Sequence, residues 1–514
     1  MRKRLLVAVM AAVTVTMAVA PGVAEAAPGT LRWGACPADV TAPGLQCATL
    51  DVPLDYRKPD GRQIQVEVSR LKSTNPAKRR GVLLTNPGGP GGPGLDFPGL
   101  LAQFGLPQSV QDGYDLIGFD PRGVGHSTPV TCDLAPAQQR SNVPPYARDA
   151  ADVVARAEYV KGIARQCGAS RTASMLPYVT TANTARDMDR IRAALGEPKL
   201  SYYGVSYGTY LGSVYTTLFP QRSDRIVLDS NVGPGGLDVD GSRMFAQGFE
   251  DRFPDFAAFA AAHPEYGLGT TPAQVTAKYF DLARRLDAEP SPQGVDGALF
   301  RQVTFGMFYN DATLPYLASA WHALDTGSPI SPVPGGGVLD PDNLLSSQLY
   351  VVCGDADWPE SVRTYQRNVA IDRFRHPMFG AAAANVWACA FWPSDPVEPP
   401  VRIGDRGPSD VLLLQNLRDP ATPLAGARKL RQAFGDRARM VTADQGGHGT
   451  YLFGSNTCAN NAATAFLATG ARPAHDVACA AEPSRPLPVE VAAKARVAGA
   501  FGPGASGWAP AARK

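Results

Sequence analysis

Residues 200–219 read LSYYGVSYGTYLGSVYTTLF. Leu200 to Val205 is a short apolar run of strand length, and the residues from Tyr207 onward read as an amphipathic helix. Between them stands Gly204-Val205-Ser206-Tyr207-Gly208, the pattern G-x-S-x-G. A chain that reverses sharply from strand to helix needs residues without bulk on both sides of the turn. Gly204 and Gly208 meet that need while Ser206 is held exposed above the sheet. The same turn sets the Tyr207 amide at the start of a helix, where backbone N–H groups and the helix dipole favour developing negative charge. The bare pentapeptide is a weak signal because Gly and Ser are common; the strand before it and the helix after it give it weight. Ser206 is therefore the candidate nucleophile and Tyr207 the first oxyanion donor.

A serine hydroxyl needs a base, and the base needs an orienting acid. In a strand–elbow–helix setting these follow in the order Ser, Asp or Glu, His. His448 and His475 lie far enough beyond Ser206. His448 sits in GGHGTY directly after the strand-like RMVTADQGG, whereas His475 lies among Pro and Ala near a Cys, and His126 in GVGHS precedes the serine. His448 is the candidate base. Asp419 ends the apolar run VLLLQNLRD, leaving room for one helix and one strand before His448, and is the candidate acid. Thr422 in DPATP is placed to hydrogen-bond that carboxylate. The second oxyanion amide must come from the loop after an early strand. NPGGPGGPG at 86–94 is that loop, with Gly88 or Gly89 as the donor.

Outward from the elbow, the same design recurs. GRQIQVEVSRLKS (61–73) alternates as a half-buried strand, Val82 to Leu84 is a short buried run, and YDLIGF opens another strand at 114. TANTARDMDRIRAALG (181–196) carries Met188, Ile191 and Leu195 at helical spacing with Gly196 as its stop. RIVLDS (225–230), DVLLLQNLRD (410–419) and RMVTADQGGHG (439–449) are further strands, with the helix AGARKLRQAFG between the last two. Short apolar strands alternating with helices predict a mostly parallel sheet with helices on both faces, an α/β-hydrolase fold. From about 232 the chain turns rich in Phe, Ala, Tyr and Pro, with helices such as TPAQVTAKYFDLARRLDA (271–288). The expected organisation is a signal peptide at 1–26, a hydrolase core at 27–231 and 401–484, a helical cap at 232–400 and a peripheral tail at 485–514. Residues 27–62 read as irregular.

The chain has 514 residues, more than one compact core accommodates, with 44% hydrophobic and 19% charged residues. Arg2, Lys3 and Arg4, the apolar run Leu5 to Ala20 and Ala24-Glu25-Ala26 make up a secretory signal with a cleavage site. Cleavage there brings the formal charge from +2 to 0. A neutral protein has no overall field to gather nucleic acid or anionic membrane, and no later segment reads as a membrane span. Eight cysteines in an exported chain read as disulfides. The sequential pairs Cys36–Cys47, Cys132–Cys167, Cys353–Cys389 and Cys458–Cys479 would each close a local loop, among 105 possible connectivities. No CxxC or clustered Cys/His spacing supports a metal, and the chemistry needs no cofactor.

NPGGPGG, FDPRGVGHS, GVSYGTYLG, CGDADWP at 353–359 and the pair DPATP…GGHG together resemble the secreted tripeptidyl aminopeptidases of the α/β-hydrolase superfamily, relatives of the prolyl aminopeptidases. The likeness runs from about 30 to 480. It implies release of short peptides from free N-termini, a cap over the site, and Ser206, Asp419 and His448 as the triad. The chain departs from the family at Pro93, and at LDSNVGP, where LDG followed by an acid is expected. An enzyme that measures from the amino end needs a carboxylate for the ammonium group. Asp355, Asp357 and Glu360 in CGDADWPE are the candidates, and Phe249, Phe253, Phe256 and Trp358 are cap aromatics available to a pocket or to core packing. The triad is blind to ester versus amide, so a secreted esterase of small acyl esters is the alternative.

Overall fold

The computed structural model describes residues 31–139, 141–331, 340–408 and 411–483; the expected signal peptide, 1–26, and the expected peripheral tail, 485–514, lie outside the described residues. One nine-stranded sheet runs through the molecule in the order β1-β2-β4-β3-β5-β6-β7-β8-β9. β1 (Gln46–Pro53) and β2 (Gln63–Leu71) form an antiparallel pair, and β2 joins β4 (Tyr114–Phe119) antiparallel. All later pairings are parallel: β3 (Gly81–Asn86) with β4 and with β5 (Leu200–Val205), then β6 (Ser223–Asp229), β7 (Val411–Arg418), β8 (Ala438–Gly446) and β9 (Val477–Cys479). β3, β4 and β5 are buried along their whole length, the reason they read as unbroken apolar runs.

The structure corrects one reading. Residues 46–53, taken with an irregular stretch, are a strand: Ala48, Leu50 and Val52 point inward while Thr49 and Asp51 point out. Pro-rich flanks hide this period-two pattern in the sequence.

Helices α1 (Ala150–Ala169), α2 (Thr181–Ala194) and α3 (Tyr207–Leu218) precede β6. Between β6 and β7 come α4 (Phe245–Ala261), α5 (Pro272–Ala288), α6 (Gly297–Met307), α7 (Leu314–Thr326), α8 (Pro341–Gly354) and α9 (Val362–Arg375). α10 (Leu424–Phe434) links β7 to β8, and α11 (Thr457–Thr469) links β8 to β9. Neighbouring strand residues serve opposite faces, as the pleat requires. Leu83, Leu116, Tyr203 and Val227 belong to one buried cluster, whereas Leu84, Ile117, Tyr202 and Ile226 belong to the other. The first cluster continues into the helices after β6. Phe249, Phe253 and Phe256 sit inside it, Phe249 stacked on Phe379 at 4.9 Å and Phe256 edge-on to Trp321 at 4.8 Å, so these rings pack a core.

The four sequential disulfides are formed: Cys36–Cys47, Cys132–Cys167, Cys353–Cys389 and Cys458–Cys479. FDPRGVGHS is scaffolding. Arg122, fully buried, pairs with Asp187 at 2.6 Å and donates to the carbonyls of Pro53, Leu54 and Tyr178. Such a buried cation is tolerated because nearly every donor is engaged. Among the described residues, no helix is long and apolar enough to cross a membrane.

Candidate active site

The elbow forms where β5 hands over to α3. Ser206 adopts φ +59°, a conformation rare for a residue with a Cβ and typical of strained functional positions. Only glycine fits on either side. A Cβ at Gly204 would lie 2.5 Å from the Gly208 carbonyl, and one at Gly208 would lie 2.8 Å from the Asn86 carbonyl. Ser206 itself is nearly buried.

His448 and Asp419 meet at the carboxyl ends of neighbouring strands. His448 Nδ1 lies 2.9 and 3.0 Å from the two Asp419 oxygens, and both side chains are buried. Asp419 also accepts from the amides of Ala421 and Thr422 at 2.9 and 2.8 Å, and from Thr422 Oγ1 at 2.9 Å. With its oxygens 2.9 and 3.0 Å from Nδ1, Asp419 fixes the His448 proton on Nδ1 and leaves Nε2 as the basic nitrogen.

Asp229, Ser230 and Asn416, which the sequence reading did not single out, hold the loops around Ser206 and His448. The Asp229 carbonyl accepts the Ser206 amide at 3.0 Å. Its carboxylate accepts the amides of Thr450 and Tyr451 at 2.8 and 2.7 Å and the Tyr203 hydroxyl at 3.1 Å. One residue thus ties the elbow to the loop that carries His448. Burial raises its carboxyl to about 6. Ser230 Oγ accepts the Gly449 amide at 2.7 Å, and Asn416 Nδ2 donates to the carbonyls of Gly447 and Gly449, bracketing the histidine. The signal was present as LDS and QN at the ends of apolar runs, polar residues where a parallel strand meets its loop. At the position where an acid was expected after LDG stands Asn231, buried and donating to Leu414 O at 2.7 Å.

The glycine-rich loop lies against the elbow. A Cβ on Gly88, which has φ +99°, would lie 2.9 Å from Ser206 Cβ and 3.2 Å from the Tyr207 amide nitrogen. The Gly88 amide, however, donates to Asn86 Oδ1 at 3.0 Å, so of Gly88 and Gly89 only the second has its amide left for an oxyanion. Asp120 shapes the loop from behind, accepting the Gly94 amide at 2.8 Å and the His126 amide at 2.8 Å. Asp120 and Asp39 beside it raise the His126 imidazole to about 9.

Three parts of the post-β6 helices touch the site. A Cβ on Gly248 of α4 would lie 2.2 Å from the Pro420 carbonyl, beside Asp419. Tyr309 stands edge-on to the His448 ring at 4.9 Å, and its carbonyl accepts the His448 amide at 2.8 Å. α8 lies on the glycine-rich loop, its Leu344 carbonyl 2.5 Å from where a Gly91 Cβ would sit.

The three acids of CGDADWPE divide between two places. Asp355 accepts from Thr181 N at 2.8 Å and Thr181 Oγ1 at 2.5 Å, and that hydroxyl also contacts the Tyr207 hydroxyl at 2.6 Å. Desolvation raises the Asp355 carboxyl to about 7. Asp357 and Glu360 are exposed and line a separate cavity of about 520 Å³ beside the Cys353–Cys389 bond, with Lys161 and Arg165.

Known proteins resemble this chain over most of its length. The family described as TAP-like protein matches residues 376–479. A tripeptidyl aminopeptidase of Streptomyces coelicolor is 38% identical, covering 89% of this chain and 87% of its own. The serine protease Hip1 of Mycobacterium tuberculosis is 31% identical, covering 85% of this chain and 87% of its own. A carboxylesterase B of Mycobacterium tuberculosis is also 31% identical, covering 85% and 86%. Among solved structures, the proline iminopeptidase of Mycobacterium smegmatis aligns over 82% of this chain and 97% of its own at 12% identity, with a TM-score of 0.35. By sequence over most of its length, the chain belongs to the tripeptidyl aminopeptidase family of α/β-fold serine hydrolases.

Proposed function

We propose that this protein is a secreted serine exopeptidase that releases short peptides, tripeptides foremost, from free N-termini. Ser206 is the nucleophile, His448 the general base and then acid, and Asp419 the group that orients His448 and stabilises its cation. Ser206 Oγ attacks the carbonyl while its proton passes to His448 Nε2. The amides of Tyr207 and Gly89 receive the oxyanion, and a donor of this kind is worth about 3 kcal/mol of transition-state stabilisation. His448 then protonates the leaving amine, and water repeats the sequence on the acyl-enzyme. The core is assigned to 27–231 and 401–484 and the cap to 232–400, with the signal peptide removed near Ala26. The four disulfides fit an oxidising destination.

One observation carries the reading. His448 Nδ1 is held 2.9 Å from an Asp419 that its own turn fixes with three further hydrogen bonds. That arrangement has value to a hydrolase and little to a binding protein. Its test is a timed digest of an unstructured peptide followed by mass spectrometry. Successive loss of three-residue steps from the amino end, absent in Ser206→Ala, is the expected result; internal cleavage or single-residue loss would refute tripeptide release. The relative named as a carboxylesterase keeps a second reading open. Hydrolysis of a short acyl ester with every peptide left intact would favour it.

A further inference from the structure

A cavity of about 220 Å³ opens between α1, residues 134–138 and 141–145, α6, α8 and residues 387–388. Arg156 of α1 lines it. Its Nε reaches the Val386 carbonyl only at 3.4 Å, and its guanidinium lies 5.1 Å from the Tyr159 ring centroid. Among the described residues, no carboxylate lies within ion-pair distance of Arg156, and burial pulls the guanidinium down to about 10. Trp387 forms part of the wall at 7% exposure, its indole Nε1–H buried without an acceptor. Asn142 Oδ1, also in the wall, is buried without a donor. The one acid in the lining, Asp296, is engaged in capping α6 through the Leu299 amide at 2.8 Å. Buried polar groups of native proteins are nearly always paired, so the Trp387 N–H and Asn142 Oδ1, beside a half-buried Arg156 without a carboxylate partner among the described residues, mark partners that a ligand supplies.

The ligand chemistry follows from the set. A guanidinium and an indole N–H are donors suited to a planar anion, and Arg favours carboxylate geometry in particular. A free amide oxygen is an acceptor for one N–H. Val160, Ile163 and Leu349 give an apolar wall for a side chain. We propose that this cavity binds an N-acylated apolar amino acid through its carboxylate, a chemistry shared by the C-terminal residue of a peptide and by a free acyl amino acid. Arg156 and Trp387 take the carboxylate, Asn142 takes the amide N–H, and the aliphatic wall takes the side chain. α8 lies between the cavity and the glycine-rich loop: Gly91 lies against Leu344, Ser347 and Gln348, and Leu345, Gln348 and Leu349 line the cavity. The peptide source rests on the reading of the chain as a peptidase; the carboxylate chemistry of the cavity does not.

The test is calorimetric titration of the full chain with N-acetyl-leucine and with N-acetyl-leucinamide, neither of which offers a free amine. The acid is expected to bind at least tenfold more tightly than the amide. Arg156→Gln is expected to weaken the acid at least tenfold, and Trp387→Phe, which keeps the ring and removes the N–H, several-fold. Equal binding of acid and amide, no binding of the acid, or an Arg156→Gln protein that binds as wild type would overturn the proposal. A second arm identifies the source. A lower KM for a peptide with a free C-terminus than for its amidated twin, lost in Arg156→Gln, makes the peptide the ligand. No such difference in KM, with acid binding intact, makes it a free acyl amino acid. If no peptide is cleaved, the peptidase reading fails while the calorimetry still decides the cavity.

Discussion

Asp419 receives hydrogen bonds from its own turn as well as from His448, and Thr422 Oγ1 supplies one of them at 2.9 Å. Thr422→Val removes that donor and keeps the shape. A hydrogen bond of this kind is worth about 1 kcal/mol, so kcat is expected to fall roughly fivefold with KM unchanged, as steady-state kinetics will show. Asp355 makes a different prediction. Its carboxyl is raised to about 7 by desolvation, above its unfolded value, so the fold favours the neutral form. That stability is fully present below about pH 4 and is lost as pH rises toward 7. Asp355→Asn stays neutral throughout. The melting temperature of the variant minus that of wild type should therefore rise between pH 4 and 7 and level off above; a difference independent of pH would contradict this. The meeting of Asp419 with His448 was legible because each follows an apolar run in a fixed order. The contact of Asp355 with Thr181 was not, because the two lie 174 residues apart and no local pattern reports such a contact.

At the scale of the elements, the elbow and the glycine-rich loop meet without side chains between them. Gly88→Ala would set a Cβ 2.5 Å from the Val205 carbonyl at a backbone angle of φ +99°. The loop must withdraw from Tyr207, carrying its oxyanion amide with it. A loss in kcat of about 10² to 10³ is expected, with the circular dichroism spectrum unchanged. Activity close to wild type would show that the second amide comes from elsewhere. The parallel strands were readable because burial on both faces demands unbroken apolar residues. β1 was not, since the prolines around it mask the alternation of Ala48, Leu50 and Val52. That the Asn86 side chain takes the Gly88 amide is something spacing alone does not reveal.

Across the whole molecule, the helices between β6 and β7 bear on the acid turn, the histidine loop and the glycine-rich loop at once, so the rigidity of that segment sets the site. Cys353–Cys389 closes a loop of 36 residues within it. Loop-closure entropy for that length gives about 4 kcal/mol, so replacing both cysteines by serine should lower the urea midpoint substantially while the triad stays intact. The paired cysteines, the elbow and the order of the triad were visible in the chain. The approach of Gly248 to Pro420 and of Tyr309 to His448 was not, because both contacts join segments far apart in sequence. We propose that Ser206, in the frame of Asp229, Asp419 and His448, cuts peptides measured from a free amine. The most direct measurement compares wild type and Ser206→Ala on a tripeptide anilide with a free amino end and on the same anilide acetylated. The account predicts rapid release from the free-amine substrate alone, abolished in Ser206→Ala; equal cleavage of the acetylated substrate, or cleavage that survives loss of Ser206, would contradict it.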